Sequence, residues 1–82
     1  MVQINVGDLI IWHTEDKTQG TSKGAIAIVS DIVLSYGGTW LARLKFLKGG
    51  DKLVTNGEAL IAIENIKNSI ESGNVTKYEK RG

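Results

Sequence analysis

Two Gly-Gly pairs, Gly37-Gly38 and Gly49-Gly50, bracket a segment whose side chains alternate in character. Trp40, Ala42, Leu44 and Phe46 fall on one parity, and Arg43 and Lys45 on the other with Leu41 and Leu47. A period of two is the signature of a strand with one face in a core, and Gly-Gly accepts either of the tight hairpin turns that such a strand needs. The chain has ten glycines and no proline, so its tight turns fall to Gly and Asn. These features together confine the chain to a mostly β architecture built from hairpins.

Further strands follow from the same reasoning. Val6 to Trp12 is rich in β-branched and aromatic residues and is entered through a turn at Gly7. Thr14 to Lys23 is polar throughout and reads as a surface loop of about ten residues, longer than most connections. Ala25 to Leu34 is a second strand region in which Ile26, Ile28 and Ile32 share a parity, with a bend or bulge expected at Ser30-Asp31. Tyr36 to Thr39 turns into the alternating strand, and Lys48 to Asp51 turns again into a short strand over Lys52 to Thr55.

The next segment carries two conflicting signals. Asn56-Gly57 is a hairpin dipeptide that would pair Leu53-Val54 with Leu60-Ile61. Thr55 and Glu58 have capping-box spacing, and Ala59, Ile63, Ile66 and Ile70 share a helical face. The reconciled expectation is a strand or turn to about Ile61, a helix over about 62–72 stopped by Gly73, and a flexible tail over about 76–82. Val75 and Tyr78 leave room for a short edge strand before that tail.

Eighty-two residues make one domain, at a size where much of the 41% apolar content must go into packing. The chain has no cysteine, which excludes disulfides and thiolate metal sites and points to a reducing compartment. Nothing at the N-terminus resembles a signal peptide, and the apolar runs are too short to span a bilayer. The expected location is therefore the cytoplasm. Ten basic against nine acidic residues argue against a strong non-specific polyanion binder.

The opening Gly7-Asp8-Leu9-Ile10, a polar loop, Gly24 before Ile26 and Ile28, and a hairpin into Leu44-Lys45-Phe46 resemble the SH3-like small barrels of the KOW and Tudor types. The resemblance covers residues 5–63 and implies a barrel of about five strands, to which this chain adds a short C-terminal helix and a long second strand region. The Gly-Asp-Leu-apolar-x-Trp opening is similar to small proteins of tailed phages, cyanobacterial phages included, which implies action in the host cytoplasm. A more distant resemblance is to SH3-like accessory subunits of photosynthetic redox complexes, such as the E subunit of photosystem I. These families share a framework and not a site, so no functional residue carries over.

The candidate site residues come from the chain itself. Tyr36 and Trp40, at the end of a hairpin, are placed to cap the barrel with part of their rings exposed. Phe46 belongs to the core by parity, while the direction of Trp12 is open. Arg43 and Lys45, with Lys48 and Lys52 across the next turn, form the most concentrated basic stripe. His13 is the one histidine, and its neighbours Glu15 and Asp16 have no metal-ligand spacing. The glycines form no Walker or Rossmann pattern, so no metal or cofactor is expected.

Leu9, Ile11, Val29, Val33 and Leu41 form a second apolar parity, to be covered by the helix through Ile63, Ile66 and Ile70 or by another copy in a homo-oligomer. The expected function is a non-enzymatic binding module that docks to a protein partner. The alternatives are nucleic-acid binding through Arg43, Lys45, Lys48 and Lys52 with help from Trp40 and Tyr36, and a structural subunit of a larger complex.

Overall fold

A computed structural model of the protein describes residues 3–15, 23–49 and 58–78. Five strands and one helix run in the order β1 (Leu9–Trp12), β2 (Ile26–Leu34), β3 (Trp40–Lys48), β4 (Glu58–Ala62), α1 (Ile63–Glu71) and β5 (Val75–Tyr78). Every pairing is antiparallel, and the strands lie side by side as β4-β3-β2-β1-β5. The class is therefore mostly β with a short C-terminal helix. The expected closed barrel is not formed by hydrogen bonding, because β4 and β5 are the two edges of one open sheet. The chain between those edges is α1, which packs on β3, β4 and β5 and closes the core with side chains instead of a ladder.

One core serves the described residues. It gathers Ile4, Ile10 and Trp12 with Ala25, Ala27 and Val29, then Ala42 and Leu44, and is completed by Ile61, Ile66 and Val75. Phe46, Ile32, Ile63 and Ile70 pack against it. The parity expected for β2 is corrected here. Val29 pairs with Leu44 and Ile32 with Ala42, and only Asp31 faces Arg43 between them, so Ser30 is an extra residue. Its hydroxyl donates to the carbonyl of Arg43 at 3.1 Å. This bulge changes the phase of the strand. Odd residues point inward before it and Ile32 points inward after it, so Ile26 and Ile28 are on the outer face, not with Ile32. A second shift at Ile26–Ala27 leaves Leu47 as an extra, exposed residue of β3.

Of the second apolar parity, Val29 is buried in the same core as Ile66, Ile10 and Trp12, so the helix shares a core with Val29 and not with Leu9 and Ile11 on the other face. Leu9 and Ile11, with their β2 partners Ile28 and Ile26, remain half-buried on the outer face. The helix begins one residue later than expected and ends one earlier. Its first residue follows directly on β4, no side chain caps it, and Glu58 opens β4 instead of a helix; Thr55 lies outside the described residues. Ala59 and Ile61 are buried as alternate residues of that strand, where pairing with Leu44 and Ala42 outweighs the helical pattern.

The stop at Gly73 holds. At φ 87°, Gly73 donates its N–H to the Ile70 carbonyl at 3.1 Å, and Asn74 donates to Ser69 at 3.0 Å, a Schellman ending. The expected edge strand is β5, so residues 76–78 are strand and not tail. The rest of the tail, most of the polar loop and the strand expected over Lys52 to Thr55 lie outside the described residues.

Candidate docking groove

The turn between β2 and β3 is held by three hydrogen bonds. Ser35 N–H donates to the Thr39 carbonyl at 2.8 Å, Gly38 N–H to the Ser35 carbonyl at 3.0 Å, and Thr39 N–H to Ser35 Oγ at 3.1 Å. This fixed turn presents Trp40 as the first residue of β3. Trp40 shares the inward parity of Ala42 and Leu44, but it lies beyond the end of the core and is 55% exposed. It faces a helix instead of a filled interior. Between the turn and α1 lies a groove of about 530 Å³ lined by Gly38, Thr39 and Trp40 on one side and by Ile63, Glu64, Lys67, Asn68 and Glu71 on the other. Volumes in this range accept a small ligand or a short stretch of peptide.

The helix supplies the polar wall. Residues 64, 67, 68 and 71 recur at the three- and four-residue spacing that forms one stripe on a helix, beside the core-facing Ile63, Ile66 and Ile70. None of Glu64, Lys67 and Glu71 has an ion-pair partner among the described residues. The groove therefore carries one negative charge in excess.

The expected site residues separate into distinct places. Trp40 lines the groove, and Tyr36 is fully exposed at the hairpin tip. Arg43 and Lys45 lie on the opposite face of β3, outside the core. Arg43 Nη1 is 3.7 Å from Asp31 Oδ2, and Lys45 stands across the ladder from Glu58. Lys48 is exposed at the far end of β3, roughly 26 Å from Trp40 at the usual strand rise. Lys52 lies outside the described residues. The aromatic end and the basic stripe are thus not one surface.

The remaining candidates are structural. Trp12 points into the core, wholly buried, with its ring centroid 5.5 Å from that of Phe46. His13 Nε2 is hydrogen-bonded to Thr76 Oγ1, and the His13 backbone N–H donates to the Asn74 carbonyl at 2.8 Å, tying β1 to the chain entering β5. No group of three metal-ligating side chains occurs among the described residues, and no helix there is long and apolar enough to cross a membrane.

No protein-family model, curated protein or solved structure matches the chain. Its function has to be argued from its own geometry. Two features of that geometry were not singled out in the sequence. The first is the polar stripe of α1, which the expected helix over 62–72 already contained: with Ile63, Ile66 and Ile70 inward, Glu64, Lys67 and Glu71 follow as the flank. The second is the buried Asp8. Its Oδ2 accepts the Asn5 N–H at 2.8 Å and lies 3.8 Å from Lys77 Nζ, which also donates to the Gln3 carbonyl. That cluster joins the chain's first turn to its last strand.

Proposed function

We propose that the chain is a non-enzymatic docking module that binds a protein partner through the groove between the β2–β3 turn and α1, with Trp40 as its anchor. The observation that carries this reading is a half-exposed tryptophan on a hydrogen-bonded turn, facing a helix across an open groove. An indole held on a fixed turn loses little conformational freedom on binding, and buried aromatic anchors contribute a large share of interface energy.

The framework we assign is SH3-like. It is supported by β1 lying between β2 and β5 and by the helix placed between β4 and β5. A small phage-type accessory protein acting in the host cytoplasm is the setting that this reading implies. Nucleic-acid binding is the weaker reading, since Arg43 is engaged by Asp31 and Lys48 stands far from Trp40.

The test is capture from a lysate of the encoding cell, or of its host. The immobilised wild-type chain should retain a protein that Trp40→Ala loses by about thirty-fold in affinity. Lys45→Ala, on the opposite face, should retain it. A partner held equally well by Trp40→Ala would place the docking surface elsewhere.

A further inference from the structure

The outer strip of Leu9, Ile11, Ile26 and Ile28 is apolar, but nothing around it indicates an occupant. The Asp8–Lys77 cluster is internally satisfied. The groove is different, because its charge and its aromatic wall together specify a ligand chemistry.

Resting on the docking reading, we infer that the groove recognises a peptide segment through a cationic side chain, arginine above all, laid over the Trp40 ring beside Glu64 and Glu71. Three properties of the groove converge on this. Trp40 presents a half-exposed indole, and an indole face attracts cations within about 6 Å of its centroid. Glu64 and Glu71 are exposed carboxylates without ion-pair partners among the described residues, and they outnumber the single ammonium of Lys67. Ile63 adds an apolar contact for the aliphatic stem of a long side chain. An anionic segment would meet two carboxylates, whereas a neutral apolar one would leave the excess negative charge uncompensated. Arginine fits better than lysine because its planar guanidinium is weakly hydrated, stacks on an indole and pairs with carboxylate through two parallel hydrogen bonds.

The experiment is selection from an unbiased library of displayed 12-residue peptides against the folded chain, followed by titration of individual labelled peptides. Selected peptides should be enriched in arginine and should lose binding to Trp40→Ala. Affinity should fall about three-fold with Glu64→Gln or Glu71→Gln and roughly ten-fold with both, as expected for partly exposed charge pairs. The double reversal Glu64→Lys/Glu71→Lys should select acidic peptides instead, a switch that damage to the fold could not produce. Thermal unfolding of each variant checks that it remains folded. Peptides that need Trp40 but show no basic enrichment and ignore both glutamates would overturn the arginine inference and leave the docking groove standing. Peptides indifferent to Trp40→Ala, or no selected peptide at all, would overturn both.

Discussion

Among the described residues, Asp8 is the buried charged one, only 2% exposed. A carboxylate so placed is costly unless its oxygens are satisfied, and removing one partner of a buried pair costs more than the pair contributes. Asp8→Ala would leave the Asn5 N–H without its acceptor and remove the carboxylate facing the Lys77 ammonium. We expect a loss of about 2–4 kcal/mol, read as a lowered urea midpoint, with Asp8→Asn costing less because it keeps an acceptor. A change below about 0.5 kcal/mol would show that the cluster does not hold the chain's ends together. The Arg43–Asp31 pair is a useful contrast, since both side chains are roughly half exposed and such pairs contribute about 0–1 kcal/mol. None of this was legible in the sequence. Asp8 reads there as the polar flank of a glycine turn, and no local pattern connects it to Lys77 near the other end of the chain.

Elements whose signals are local were legible. The hairpin at Gly37-Gly38, the alternation of β3, the Ile63/Ile66/Ile70 face and the Gly73 stop all follow from residues within a few positions of one another. Elements decided by pairing were legible only in part. Ala59 and Ile61 fit both a strand and the approach to a helix, and pairing with β3 decided for the strand. The inward face of β2 likewise depends on where β3 pairs with it. Two glycines separate local backbone effects from packing. Gly73 at φ 87° has open space where a Cβ would stand, so Gly73→Ala should cost about 1 kcal/mol through backbone conformation alone. Gly49 at φ 76° would place a Cβ 3.0 Å from the Cα of Ala25, a buried backbone atom. Gly49→Ala should therefore cost clearly more, about 2–3 kcal/mol in the same urea measurement. Equal losses would mean that the contact relaxes freely.

At the scale of the whole molecule, the two tryptophans report on two different regions. Trp12 is wholly buried, and Trp40 is open to solvent beside the groove. With Trp12→Phe the remaining emission should be red-shifted and readily quenched by acrylamide, and with Trp40→Phe it should be blue-shifted and protected. Peptide binding in the groove should then perturb the first variant's spectrum and leave the second's unchanged. The aromatic half of this site was visible in the sequence, because Trp40 and Tyr36 sit at a hairpin end. Its helical half was not, because only the fold brings α1 opposite that hairpin. The basic stripe, prominent in the sequence, belongs to the other face of β3.

The extra residue at Ser30 has a further consequence for how such a chain can change over time. A residue lost between Ala27 and Val29 would exchange the inner and outer faces of the strand, but between Val29 and Ile32 one residue can be spared. Losing Ser30 would leave Val29 and Ile32 two residues apart, both still facing inward across a regular ladder. Descendants of this sequence should therefore tolerate a one-residue alignment gap at Ser30 with the same interior, whereas a gap between Ala27 and Val29 would mark a chain with a different one.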